Sequence, residues 1–246
     1  MDILRFFSGA GYFCAPALLG ALLVGLFPDG TVAGILGVSP TRVDLATNGT
    51  PTVVRVRNKG TESVLVQVHA VQWSVDVDAA AMAGEVLAVP PVFDLGGQGE
   101  QVIRVALRRP LKEPVEQAYR LLITEVPREA GEPNALVFAV RLNLPVFVTP
   151  KGARADPVWS IRRGSGRAAE LVLANNGGAH VRVQSLSLLG DGGAEPVLSV
   201  EQAAYVLAGE ERSWPISLPA GTVKEAIVRA ETNLGELEAQ VALPGG

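Results

Sequence analysis

Residues 119–150, YRLLITEVPREAGEPNALVFAVRLNLPVFVTP, decide how this chain folds. They read as two strands joined by a loop, and the second strand is more apolar than its place on a sheet explains. Leu136, Phe138, Val140, Leu142, Leu144, Val146 and Val148 recur at every second position, which puts them on one face of a strand. On the other face Val137, Ala139 and Phe147 are apolar as well, whereas Arg141 and Asn143 are not. A strand apolar on both faces is either covered on both or offers one of them to a partner.

Working outward, short β segments recur from Val38 onward, separated by Gly, Pro, Asn and Asp in the manner of sandwiches. A first set is expected near 36–46, 52–58, 64–73, 86–89, 101–107, 119–125 and 136–148, seven strands that suit an immunoglobulin-like topology. Turn chemistry supports these limits at Asn48-Gly49, at Asn58-Lys59-Gly60 and at Gly96-Gly97-Gln98-Gly99. Pro40 interrupts ladder bonding in the first strand, so a bend or a change of sheet is expected there. Pro90-Pro91 ends the fourth strand, where a cis bond is an option.

Residues 151–157, KGARADP, are polar and without period, which marks a linker. A second, glycine-rich set follows near 158–162, 168–174, 181–189, 197–200, 212–218, 225–231 and 236–243. Beyond the N-terminus no helical period of useful length is present, and residues 78–84 read as a loop with a turn of helix.

Composition bounds the function. With 246 residues, 48% hydrophobic and 19% charged, the chain is globular and long enough for one large or two small domains. A net charge of −4 and a pI near 5.3 argue against a nucleic-acid partner, so any positive site is local. The N-terminus reads as an export signal, with Arg5 before the apolar run 10–27 and small residues at Thr31-Val32-Ala33 for cleavage. A retained anchor is the rival reading, because the run approaches the roughly 20 residues that span a bilayer; Pro16 and the glycines favour cleavage. The expected organisation is a signal peptide at 1–33, an N-terminal domain at 34–150 and a C-terminal domain at 151–246. Cys14 lies inside the apolar run, so the mature protein has no cysteine and holds its fold by core packing.

Catalytic and metal chemistry find little material. His69 and His180 are the two histidines, without ligand spacing; His69 reads as a sheet residue and His180 as a turn residue. Asp76 and Asp78 read as solvated acids on one face of a strand end rather than as a calcium or hydrolytic pair. The glycosylation pattern at Asn48-Gly49-Thr50 is explained by its turn. The glycines at 96–99 join two strands instead of opening a helix and so hold no phosphate. No catalytic residue, metal, cofactor or small-molecule substrate is expected.

Several motifs in order resemble the periplasmic chaperones of chaperone–usher pilus assembly, with its archaic branch as one option. They are VPPVFDL (89–95), Gln101-Val-Ile-Arg104, TEVP (124–127), Asn134 with the strand after it, and Pro150. The resemblance spans the first domain and fades in the second. It implies an all-β fold of two immunoglobulin-like sandwich domains in an L shape behind a signal peptide, located in the periplasm. It also implies a non-enzymatic function: binding, folding and capping of pilus subunits by donor-strand complementation, then delivery to an outer-membrane usher. The matching donor residues are Leu136, Phe138 and Val140, with Leu142 as a fourth; burying each is worth roughly 1.5–3 kcal/mol.

The family's second site is a basic pair that holds the subunit's terminal carboxylate. Arg42 in SPTRVDL matches the first member, while the position of the usual final-strand lysine holds Pro145, which leaves Arg120 on the neighbouring strand as the second cation. Arg104 also matches a family position, with a role in holding the first domain to its neighbour as the alternative. A free apolar strand also invites self-capping as an oligomer. The rival functions are an exported two-domain adhesin or structural protein, whose strand would stay in its own core, and a hydrolase on a β-sandwich. From the alternation, Phe138→Glu is expected to weaken subunit binding far more than it lowers the urea midpoint of the chaperone; an equal loss of both would place Phe138 in the chaperone's own core.

Overall fold

Apolar and polar residues alternate along many of the strands, and that alternation sorts the strands into two sandwiches. The structure, a computed structural model, describes residues 36–127, 139–190, 196–201, 203–217 and 225–242. Thr52–Asn58 shows the principle: Val54 and Val56 are fully buried while Arg55 and Arg57 face solvent. In chain order the first sandwich contains β1 (Leu36–Ser39), β2 (Val43–Asp44), β3 (Thr52–Asn58), β4 (Val64–Gln72), β5 (Val86–Val89), β6 (Val92–Leu95), β7 (Glu100–Leu107), β8 (Gln117–Val126) and β9 (Arg141–Val148). One of its sheets runs β1-β3-β7-β5 and the other β2-β9-β8-β4-β6. Val54, Val56, Ile103 and Val105 from the first meet Val66, Leu121, Ile123 and Val146 from the second in one core.

The second sandwich contains β10 (Pro157–Arg163), β11 (Ala168–Asn175), β12 (Val181–Gly190), β13 (Pro196–Val200), β14 (Ala204–Val206), β15 (Glu211–Ser217), β16 (Glu225–Thr232) and β17 (Gly235–Ala242). Its sheets run β10-β11-β15 and β13-β12-β16-β17, with β14 also paired to β12. Leu171, Leu173, Val183, Leu188 and Val228 fill its core. The described residues contain no helix.

Several expectations meet the structure closely, and others are corrected by it. The strand expected at 36–46 breaks at Pro40: β1 lies in one sheet and β2 in the other, so the chain changes sheets where the proline removes a ladder donor. The Ser39-Pro40 and Val89-Pro90 bonds are cis. Short strands β6 and β14 were not foreseen: VFDL follows directly on Pro90-Pro91, which read as the end of a strand, and AYV is only three residues long. Residues 78–84 form turns and an isolated bridge from Met82 to Val71, without a helical turn. Asp76 and Asp78 stand in that loop, not on a strand; the Asp76 carboxylate accepts the backbone N–H of Asp78 at 3.0 Å, an Asx turn. Gly49 adopts φ +83° at the Asn48 turn, a conformation a side chain would strain. The strand expected from 136 is described from Arg141; Leu136, Phe138 and Asn134 lie outside the described residues.

Residues 151–157 are bound to the second sandwich rather than loose. The N–H of Gly178 donates to Arg154 O at 2.7 Å, and that of Asn176 to Asp156 O at 3.0 Å. A Cβ on Gly177 would fall 2.3 Å from Arg154 O, so only glycine lets the two segments approach.

The two sandwiches share an internal device. Asn58, at the end of β3, is buried, and its amide nitrogen lies 2.7, 3.1 and 3.2 Å from the carbonyls of Glu62, Leu95 and Gly96. Asn175, at the end of β11, is also buried and reaches the carbonyls of Ala179, Val206 and Leu207 at 2.7, 3.2 and 3.0 Å. Each side-chain oxygen in turn accepts a backbone N–H of its own loop, from Gly60 and from Gly177. One side chain thus satisfies several buried backbone groups. Replacing either by the isosteric Leu strands those carbonyls, and urea unfolding of Asn58→Leu or Asn175→Leu is expected to show a loss of about 2–4 kcal/mol.

Candidate functional site

The pairing of β9 is the central observation. Along one side it pairs with β8 from Arg141 to Val148. Along the other side the two-residue β2 runs parallel to it, with Val43 opposite Val146 and Asp44 opposite Phe147, and the N–H of Leu45 donates to Phe147 O at 2.8 Å. N-terminal to Val146 that edge carries no strand among the described residues. Of the donor residues read from sequence, Val140 and Leu142 are described. Both are half-buried; Leu142 packs against the rim of the first core, and Val140 is held by a bond from the N–H of Glu125 to its carbonyl at 2.8 Å.

The second face of β9 is accounted for at its C-terminal end. Phe147 points away from the core of the first sandwich and is fully buried, because His180 of the second sandwich stacks on it with ring centroids 3.8 Å apart and planes 14° apart. Trp73 and Tyr205 close around it at 5.6 and 5.4 Å. His180, expected in a turn, is therefore a buried inter-sandwich residue. Nothing in its own neighbourhood of sequence signals this; the signal was Phe147, apolar on the wrong face.

A carboxylate fastens the same junction. Glu116, just before β8, is 7% exposed; its Oε1 accepts the His180 backbone N–H at 2.9 Å and lies 2.8 Å from His180 Nδ1. Thr149 Oγ1 donates to its Oε2 at 2.5 Å. Burial pushes the Glu116 carboxyl up, but the hydrogen bonds from His180 and Thr149 and the His180 charge outweigh it and hold it below its ordinary value.

The cations read from sequence fall in one row. Arg120 is the cross-strand partner of Pro145, and Arg42 precedes Val43, the partner of Val146, so Arg42 is level with Pro145 on the other side. Two strand spacings separate their Cα atoms, about 10 Å. Pro145 thus has an arginine level with it on each side. Both arginines point to the outer face, because Val43, Tyr119 and Leu121 take the core face.

Their surroundings differ. The Arg42 Nε and Nη2 lie 3.0 and 2.9 Å from Asp44 Oδ2, and both side chains are exposed. The Arg120 guanidinium lies 4.0 Å from the Trp73 ring centroid, and its Nη1 donates to Asn143 Oδ1 at 3.3 Å. Its Nε is buried without a partner. Burial pulls the Arg120 guanidinium down from its ordinary value, opposed by Tyr205, yet an arginine remains cationic at physiological pH. Arg104 does not join this row: it is exposed on β7 of the other sheet, between Val53 and Val89.

Among the described residues the first sandwich thus presents a strand edge without a neighbour N-terminal to Val146, with Arg42 and Arg120 level with Pro145. Residues 35–154, which include the whole first sandwich, match the family of pili and flagellar-assembly chaperones, PapD N-terminal domain. The fold of the chain is that of solved two-domain chaperones. One is the CsuC–CsuE chaperone–tip adhesion subunit pre-assembly complex from archaic chaperone-usher Csu pili of Acinetobacter baumannii, with TM-score 0.61 and 20% identity over 84% of this chain and 98% of that one. Another is the Salmonella enterica SafA pilin in complex with the SafB chaperone, with TM-score 0.61 and 19% identity over 87% and 98%. A third is the CupB2 chaperone of Pseudomonas aeruginosa, with TM-score 0.56 and 21% identity over 84% and 100%. No curated protein matches the chain by sequence.

The lowered Glu116 carboxyl has a stability consequence. A depressed folded-state value adds stability that is complete above the unfolded value of 4.5 and is lost as pH falls through the lower folded value. Urea midpoints measured from about pH 7 to about pH 3 should show Glu116→Gln less stable than the parent at the upper end, with the gap closing toward the lower. A gap that does not change with pH would mean that the ionised carboxylate is not what fastens the junction.

Proposed function

We propose that this chain is a non-enzymatic periplasmic chaperone that binds, folds and caps pilus subunits by donor-strand complementation and delivers them to an outer-membrane usher. The open edge of β9 at the level of Arg42 and Arg120 carries this reading. A subunit lacking one strand pairs its backbone with that edge, which gives affinity without sequence dependence. Leu136, Phe138, Val140 and Leu142 fill the subunit's incomplete core. Its terminal carboxylate docks between Arg42 and Arg120, where a guanidinium makes charge-assisted hydrogen bonds in a planar bidentate geometry that an ammonium group does not reproduce. The adhesin alternative requires β9 to be sealed within its own sheet, and among the described residues the edge N-terminal to Val146 carries no strand, which speaks against it.

Export follows from the N-terminal signal, cleaved ahead of Gly34 in this reading, and the mature chain divides into domains at Pro150. Before a subunit arrives, the free edge is capped by a second copy of the chain.

Charge-assisted hydrogen bonds are worth about 1.5–3 kcal/mol each, or roughly 10- to 150-fold in affinity. Arg42→Ala is therefore expected to keep the wild-type circular dichroism and melting curve while co-purifying at least about tenfold less subunit from the periplasm. Normal recovery of subunit with that variant would remove Arg42 from the anchor.

A further inference from the structure

Arg42 and Arg120 differ in one respect that bears on what the anchor accepts. Among the described residues, Arg120 has no carboxylate partner; an amide oxygen and an indole face hold it. Arg42 already has one. Its Nε and Nη2, the edge of the guanidinium that grips a carboxylate in bidentate fashion, both lie against Asp44 Oδ2, at 3.0 and 2.9 Å.

The pair is not an accident of two mobile side chains. Arg42 and Asp44 flank Val43, which is fully buried and paired with Val146, so both must project from the same outer face. The backbone of Asp44 is further fixed by Thr52 Oγ1, which donates to its carbonyl at 3.0 Å. Together with Glu116, Thr149, His180 and Asn233 the two line a cleft of about 460 Å³ between the sandwiches. The Glu116 carboxylate there is already engaged by Thr149 and His180, which leaves Asp44 as the acid facing Arg42.

We infer that Asp44 occupies, in the free protein, the place of the incoming carboxylate on Arg42, and so acts as a specificity determinant of the anchor. This rests on the carboxylate-anchor reading above. A ligand carboxylate must displace Asp44 from the Nε/Nη2 edge and then sit near the displaced acid, or bind without that edge. A small free acid gains too little to do so. A carboxylate at the end of a strand already paired to β9 arrives at high effective concentration and at the right row. Asp44 thereby selects for terminal carboxylates of chains added to the edge and against free carboxylic acids.

The test uses the full mature chain and a five-residue peptide of alternating threonine and valine, as its free C-terminal acid and as its C-terminal amide. The ratio of the two dissociation constants measures what the carboxylate contributes. Asp44→Asn should raise that ratio about two- to fivefold, as expected for removal of one exposed ion pair, and the gain should shrink as salt is added. Asp44→Glu, which keeps the charge, should stay at the wild-type ratio and controls for disturbance of β2. An unchanged or lower ratio in Asp44→Asn, including no peptide binding by either protein, overturns the inference. A free-acid preference that survives both Arg42→Ala and Arg120→Ala overturns the anchor reading beneath it instead.

Discussion

A strand apolar on both faces has to be covered twice, and the way β9 meets that demand organises the whole chain. At its C-terminal end the core face carries Leu144, Val146 and Val148, sealed within the first sandwich, while Phe147 on the other face lies under His180 and Tyr205 of the second. Toward its N-terminal end neither β2 nor the second sandwich takes part, and Leu142 and Val140 remain half-buried. A strand is stiff over this length, so clamping the last four residues on both faces fixes the direction of those before them. The result is an extended segment aimed and held from one end.

An exposed edge alone is a poor recognition element. Backbone hydrogen bonds are the same in every register, and a slip of one residue turns each side chain to the wrong face. A charge at a fixed row removes that ambiguity, and here the row is set by Pro145. Proline has no N–H to offer the edge, so regular pairing ends beside it. The two arginines are level with Pro145, one on β8 and one just ahead of β2, and in the proposed reading they put positive charge at the point where an added strand stops. The stacking of Arg120 on Trp73 limits its rotamers, which in the proposed reading lowers the entropic cost of gripping a carboxylate.

What could be read from the chain and what could not divide along a physical line. Alternation and turn residues are local, so the limits of β3, β5 and β11 lie within a residue of expectation, and Pro40 marked the change of sheet between β1 and β2. The pairing of Arg120 with Pro145 was also foreseeable, because counting along neighbouring strands brings them close. β6 follows directly on a proline pair that read as the end of a strand, and β14 holds too few residues to display a period. His180, Trp73 and Tyr205 were invisible as a group: they are distant in sequence, and only the docking of one sandwich on the other brings them onto Phe147. Asn58 read as a turn residue, but it and Asn175 end strands, and two of the three carbonyls that each side chain reaches belong to segments more than 30 residues away and leave no local mark.

The junction between the sandwiches owes its definition to polar as well as apolar contact. Aromatic stacking on Phe147 would tolerate sliding, since ring faces attract over a range of offsets. The Glu116 carboxylate does not tolerate it. Buried to this degree, an ion left without partners is strongly unfavourable, and its donors come from both sides: Thr149 at the end of β9 and the backbone and ring of His180 ahead of β12. Small displacements that the rings would allow would leave that charge unsatisfied. The second sandwich is thus set at a defined position on β9, and because His180 and Asn233 also line the cleft beside Arg42, the same contact that aims the strand also shapes the pocket at its end.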